Sequence, residues 1–498
     1  MTSAPVLSKQ LDDIQGMLRS GYGWLKTSRF WLLTIRDGRE DEARAWLATL
    51  IKSELVVSAK RVGKEKTVPI TEAVAIAFSY SGLARLGCEE TGAHPFPTPF
   101  QSGMGSELRA ALLNDNPREW RWSDVEDGPD RQTVHILVAQ WVTEDVASKM
   151  PDPPPDVFKI GMVDNHPYSF RKPKGESEEK LHEPFGFRDG LAQPVIRGLR
   201  DEGGETPRQA REHAGALYDD RVVEPGEFIL GYRNEYDELT YCPNLERWAQ
   251  LGQAPHPGGR FTLNGSYLAV RQIEQNVEAF KALETASGES ACEKMMGRFK
   301  NGLPLSWKGN PKARGVPDST ADAFRYQVED ANGFICPKGA HIRRMNPRDS
   351  LGVDVQAGIK SSKLHRLLRR GRPYLEPTAN AGERPREGIF FIACNADLER
   401  QFEFMHQRWM RNFRFGDLHH EDDPIVGAPI VGSPPPSKTF TIPGLPSGDQ
   451  LSLKALTDTM GGGYFFLPGI KALHFIAEQA ARPTLRAAGS SAEIAGAR

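Results

Sequence analysis

Arg29-Phe30-Trp31-Leu32-Leu33-Thr34-Ile35 is the stretch from which the fold of this chain is read. It is an apolar run of strand length and reads as a buried strand. A polar turn follows. Asp41 to Leu55 then repeats apolar residues at helical spacing, with Trp46, Leu47, Leu50 and Ile51 on one face. The same strand–turn–helix unit returns far downstream. Ser266-Tyr267-Leu268-Ala269-Val270 reads as a strand and leads through polar residues into a helix with Val277, Phe280 and Leu283 inward.

The echo continues. Val74-Ala75-Ile76-Ala77-Phe78 reads as a strand that meets a helix start at Ser79-Tyr80-Ser81-Gly82-Leu83. Its expected counterpart is Ile389-Phe390-Phe391-Ile392-Ala393, which meets Asn395, an N-cap for a helix from Ala396 to Met410. Val134 to Val142 and Tyr464 to Leu467 supply later strands. A β-α-β…α-β order given twice implies an α+β chain of two ferredoxin-like sandwiches, with helices packed on antiparallel sheets. The bland alternative is a chance likeness between common strand–helix units. The division is expected at 220/221, beside the polar segment from Glu202 to Ala216, giving units 1–220 and 221–498.

The chain has 498 residues, room for two or three domains. With 63 Lys+Arg against 65 Asp+Glu, composition supports neither a nucleic-acid-binding nor a membrane surface. No apolar run approaches the ~18 residues that span a bilayer. Met1 to Gly21 lacks a basic stretch followed by an apolar core, so a cytoplasmic location is expected. Five cysteines (Cys88, Cys242, Cys292, Cys336, Cys394) with no CxxC argue against a disulfide scaffold or zinc ribbon and for buried thiols in a reducing compartment. Pro151-Asp152-Pro153-Pro154-Pro155, Pro434-Pro435-Pro436 and Lys174 to Lys180 read as surface excursions. The tail from Thr484 to Arg498, rich in small residues, is expected to be disordered. A homo-oligomer is compatible with the sequence.

Two blocks carry chemistry. Cys336-Pro337-Lys338-Gly339-Ala340-His341-Ile342-Arg343-Arg344-Met345-Asn346-Pro347-Arg348 offers a histidine after two small residues and beside two arginines. One neutral imidazole can hold haem iron. Gly339-Ala340 would let a flat macrocycle approach, and Arg343 and Arg344 suit two carboxylates such as propionates. A structural histidine in a loop with solvated arginines is the plain alternative. Gly186-Phe187-Arg188-Asp189-Gly190 sets a carboxylate in an apolar frame, Pro184-Phe185 before and Leu191-Ala192 after. Asp-Gly is common turn chemistry, yet a partly buried carboxylate needs a partner or a role. In Leu367-Leu368-Arg369-Arg370-Gly371-Arg372-Pro373-Tyr374, two leucines before Arg369 turn one guanidinium inward and leave Arg370 and Arg372 outside. A fixed cation there could stabilise a hydroperoxide anion.

These segments together resemble the dye-decolourising peroxidases. The resemblance runs over nearly the whole chain. It includes Asp13-Ile14-Gln15-Gly16, Phe78 to Leu83 with Leu86-Gly87, Glu183 to Gly190 with its GxxDG signature, Pro225 to Tyr232, the His341 and Arg369 segments, and Asp422-Asp423-Pro424-Ile425-Val426-Gly427. Length and late insertions are similar to the larger bacterial members.

The resemblance implies two ferredoxin-like units with one haem b held by the C-terminal one. His341 would be the proximal iron ligand, Asp189 and Arg369 the peroxide-activating pair, and Ile389 and Phe391 the walls of the distal pocket. The family more often has leucine at the position of Ile389, and glycine where Leu375 follows Pro373-Tyr374, which leaves the local turn open. Which arginine meets the propionates is also open. An iron-bound imidazole needs an acceptor for its other N–H. Asp423 is the candidate, with Asp422, Asp397 or a backbone carbonyl as alternatives. The implied activity is reduction of hydrogen peroxide with oxidation of dyes, phenolics or other aromatic one-electron donors. Bulky donors would be reached through some of the nine tryptophans and eleven tyrosines. A non-enzymatic haem-binding or iron-release protein of the same fold is the rival.

Overall fold

A computed structural model describes residues 5–478 apart from 65–66, 89–91, 93, 127–130, 145–146, 165–181, 200–206, 246–247, 249–259, 314, 377–384, 420, 427–437 and 445–449. The Lys174–Lys180 segment, Pro434-Pro435-Pro436, the start of the Glu202–Ala216 segment and the C-terminal tail lie outside the described residues.

The first quartet of strands is β1 (Thr27–Ile35), β2 (Glu72–Phe78), β3 (Ile136–Val142) and β4 (Phe158–Asp164). They lie in the order β2-β3-β1-β4, each pair antiparallel. The second quartet is β5 (Ser266–Gln275), the split strand β6 (Leu368–Arg369) and β7 (Arg372–Glu376), then β8 (Arg386–Asn395) and β9 (Thr457–Leu467). Its order is β6/β7-β8-β5-β9, again antiparallel. In both quartets the chain order across the sheet is second, third, first, fourth, the order of a ferredoxin-like βαββαβ unit.

Two expectations are revised. β2 and β8 are not counterparts: β2 is the second strand of its quartet and β8 the third, so β8 corresponds to β3. Nor are the halves separate sandwiches. One sheet runs through both, joined where β9 pairs β2 at Phe466 and Phe78. Gln15 clamps this seam. Its buried amide donates to the carbonyls of Ile76 (3.0 Å) and Pro468 (2.9 Å) and accepts the N–H of Ile76 (3.0 Å). Asp13 accepts from Asn264 and from the backbone of Lys471 beside it. The Asp13–Gly16 motif is therefore a structural latch. A Cβ on Gly16 would lie 2.4 Å from the Tyr22 hydroxyl, so the close approach excludes any side chain.

Helix α1 (Glu40–Lys52) follows β1 and buries Trp46, Leu47, Leu50 and Ile51. Helix α2 (Val277–Ser287) follows β5, with the Asn276 side chain capping it on the N–H of Ala279. After β8, Asn395 ends the strand rather than capping a helix. Asp397 accepts the N–H of Arg400, and Gln401 accepts those of Ala396 and Asp397. Glu399–Glu403 and Met405–Met410 are π-helical, with Glu403 N–H on the Leu398 carbonyl and Arg411 N–H on that of His406. The local turn left open at Leu375 resolves as strand: β7 continues to Glu376.

Candidate active site

Side chains alternate across a strand. On β8, Phe390 and Ile392 enter the core on one face, and Ile389 and Phe391 stay half-buried on the other. Across the ladder, Ile389 pairs with Ile273 and Phe391 with Arg271 on β5. These four residues form one wall of a cavity of about 610 Å³, within the ~300–1,000 Å³ usual for ligand sites. The π-helical segment supplies Phe402, Met405 and His406 on another side.

His341 opens the short helix α3 (His341–Met345) and lines the cavity. Its Nδ1 lies 2.8 Å from Oδ2 of Asp423. The other Asp423 oxygen accepts the backbone N–H groups of Ile425 and Val426, both at 2.9 Å. Burial would raise the pKa of this carboxyl, but His341, the backbone N–H of Val426 and Arg344 together hold it well below the usual carboxylate range. Asp423 is thus an ionised, immobile acceptor, and Nε2 of His341 is the nitrogen left for a metal.

Asp189 and Arg369 line the same cavity. Asp189 is partly exposed, and its Oδ1 accepts from Gly190 N–H at 2.6 Å. Gln193 accepts the backbone N–H of Arg369 at 3.0 Å, and the Arg369 guanidinium donates to the carbonyl of Leu191. The loop that carries Asp189 is thereby latched to the strand that carries Arg369. Glu183 fixes the other end of this loop. It accepts the N–H groups of Phe185 and Phe187 and the Gln275 amide, and burial, with Asp189 nearby, pushes its pKa up to about 7.

At another part of the cavity lie Arg298 and Arg348, stacked on the ring of Phe324. Both pair with the buried Asp322, as does Arg221. Burial would raise the Asp322 pKa, yet Arg348, Arg221 and Arg298 hold it below the usual range. Arg298 and Arg348 line the cavity and share this one carboxylate with Arg221, which does not line it.

The comparisons with known proteins agree on what this arrangement is similar to. Residues 246–418 match the family model described as Dyp-type peroxidase, C-terminal. A dye-decolorizing peroxidase of Exidia glandulosa is 28% identical over 94% of this chain and 87% of its own length. A multifunctional dye peroxidase of Amycolatopsis sp. is 32% identical over 44% of this chain and 49% of its own. The crystal structure of an Anabaena sp. DyP-type peroxidase covers 94% of this chain and 95% of that one, with a TM-score of 0.71 and 22% identity, which speaks for the fold. The chain is similar to DyP-type peroxidases over nearly its whole length.

Within this DyP-type fold the cavity gathers His341, Asp189, Arg369, Ile389 and Phe391, with Asp423 behind the histidine. It does not gather Arg343 and Arg344. Arg343 is buried against Asp330, with its donors on the carbonyls of Cys336, Asp330 and Ala331. Arg344 donates to the carbonyls of Gly339, Trp409, Asn412 and Glu421. Neither is placed to meet propionates. Helical geometry gives the reason: Met345 returns beside His341, whereas Arg343 falls on the opposite side. Gly339 also serves another purpose, since a Cβ there would lie 2.2 Å from Oε1 of Glu421. Arg370 and Arg372 are buried rather than outside. They hold the carbonyls of Met17, Leu18, Gly21 and Tyr22. Arg298, Arg271 and His406 were not found by reading motifs, because each lies outside the two chemical blocks. Arg348 stood in the first block unremarked.

Proposed function

We propose that this chain is a haem peroxidase that binds one haem b and reduces hydrogen peroxide at the expense of aromatic one-electron donors. The observation that carries the reading is the meeting, in one cavity, of a carboxylate-backed histidine, the Arg298 and Arg348 guanidiniums, and Arg369 latched to the aspartate loop. Family relatives are haem peroxidases. The donor set fits that group: one imidazole nitrogen for iron, and two cavity-lining guanidiniums that share one carboxylate for the propionates.

His341 would hold the iron through Nε2, with Asp423 setting ring orientation and electron donation. Arg298 and Arg348 would face the propionates. Bound haem supplies the redox-active iron. Asp189 accepts the peroxide proton and returns it to the leaving oxygen. The Arg369 guanidinium sits where negative charge develops. Ile389 and Phe391 would wall the side on which peroxide is cleaved, and dyes or phenolics too bulky to enter would deliver electrons from outside it. We assign the chain to the larger bacterial type on its length and late insertions alone.

The test is stopped-flow mixing of haem-loaded protein with peroxide. Arg369→Leu should slow the reaction by ~10²–10³-fold, the cost of one preorganised electrostatic donor. Asp189→Asn should slow it less, because water can stand in for a proton carrier but not for a fixed cation. Wild-type rates in both variants would overturn the assignment, and no reaction in the wild type would favour a haem-binding protein without this activity.

A further inference from the structure

Among the buried pairs on the cavity's flank that the proposed function leaves unused is Tyr464 with Glu403. Tyr464, on β9, is fully buried, and its hydroxyl donates to Oε1 of Glu403 at 2.8 Å. Glu403 is itself buried, and its other oxygen accepts from Arg109 at 2.8 Å. Arg109 reaches on to Glu399, which is largely exposed. The Tyr464 ring meets that of Phe402 edge-on, with centroids 6.2 Å apart. Phe402 lines the cavity and neighbours Phe391 at 6.4 Å.

A phenol is hard to oxidise by electron loss alone, because the resulting cation is a very strong acid. It oxidises readily when a base takes the proton as the electron leaves. A carboxylate in hydrogen-bond contact is such a base. The amide oxygen that accepts from Tyr232 in this chain is not. Burial, with the Glu403 charge beside it, raises the Tyr464 pKa well above the ordinary value, so the phenol keeps its proton until an electron departs.

Resting on the haem reading above, we propose that Tyr464 is a redox relay of this cavity, with Glu403 as its proton acceptor. Tyr464 gives one electron to haem that has reacted with peroxide. The O–H bond breaks, its proton passes to Glu403, and a neutral phenoxyl radical remains. A one-electron donor later returns the electron, and Glu403 returns the proton. Neither residue is consumed, and oxidising power moves from the cavity to a side chain 6.2 Å from the ring of Phe402.

The test is electron paramagnetic resonance on haem-loaded protein frozen after peroxide addition, with and without ring-deuterated tyrosine. The wild type should give a radical signal that narrows on deuteration. Tyr464→Phe, which removes only the hydroxyl, should abolish that signal, and Tyr232→Phe should leave it. Glu403→Gln keeps a hydrogen-bonding oxygen but no base, and should lower the yield at least ~10-fold. A Tyr464→Phe protein with the wild-type tyrosine signal, or a Glu403→Gln protein with wild-type yield, would overturn the relay. Haem uptake and peroxide consumption with no tyrosine radical would overturn the relay alone. Failure to bind haem at all would overturn both readings.

Discussion

At the scale of single residues, the Nδ1 of His341 is committed to Asp423, so Nε2 is the nitrogen that iron in the cavity would meet. A carboxylate on the far nitrogen makes the imidazole a stronger donor and favours oxidised iron. Asp423→Asn should therefore retain haem and raise its ferric/ferrous potential. Loss of such a partner also typically weakens metal affinity or activity by ~10–100-fold. Redox titration checks the first expectation, and an unchanged potential with an unchanged iron–histidine stretching frequency would show that the pair does not act on the metal. Asp423 could be picked out in the sequence because an acid entering an apolar turn must face inward or be wasted. Arg343 and Arg344 misled for the converse reason. Adjacency to a histidine says nothing about direction, and on a helix of five residues neighbouring side chains diverge by ~100°. The propionate candidates, Arg298 and Arg348, are 50 positions apart and meet only because Asp322 draws both.

At the scale of elements, β8 separates stability from site shape. Phe390 stacks on Phe30 with centroids 4.2 Å apart inside the core, whereas Ile389, one position earlier, faces the cavity. Phe390→Ala should cost ~3–5 kcal/mol of folding stability. Ile389→Ala should cost less than half of that and instead admit bulkier peroxides or donors. Denaturant unfolding of the two variants measures the order, and a larger loss for Ile389→Ala would contradict the strand's facing. The strands themselves were readable from apolar runs. Their pairing was not, since a run of five apolar residues shows that a strand exists but not which distant strand completes its ladder. Apolar runs alone therefore suggest β2 as the counterpart of β8, where the ladder makes it β3. The π-helical turn after β8 was equally hidden: its start depends on Asp397 and Gln401 taking backbone N–H groups that Asn395 was expected to serve.

At the scale of the whole molecule, the two quartets are one sheet joined at Phe466 and Phe78 and clamped by Gln15. The cavity depends on this union. The Asp189 loop and the Arg19–Lys26 segment belong to the N-terminal part of the chain, and His341, Arg369, Ile389 and Phe391 to the C-terminal part. The duplication was visible in the sequence as a repeated strand–turn–helix unit; the continuous sheet was not, because the halves are joined by only a few residue pairs, Phe466 with Phe78, Gly461 with Trp122 and Gly462 with Ser123. The central claim is that this shared cavity holds haem through His341. The direct measurement is the visible and resonance Raman spectrum of protein reconstituted with haem, compared between wild type and His341→Ala at matched folding. The account predicts one haem per wild-type chain with an iron–histidine stretching band, and in His341→Ala loss of that band with haem absent or weakly held. A His341→Ala protein with the wild-type spectrum and the wild-type iron–histidine band would contradict it.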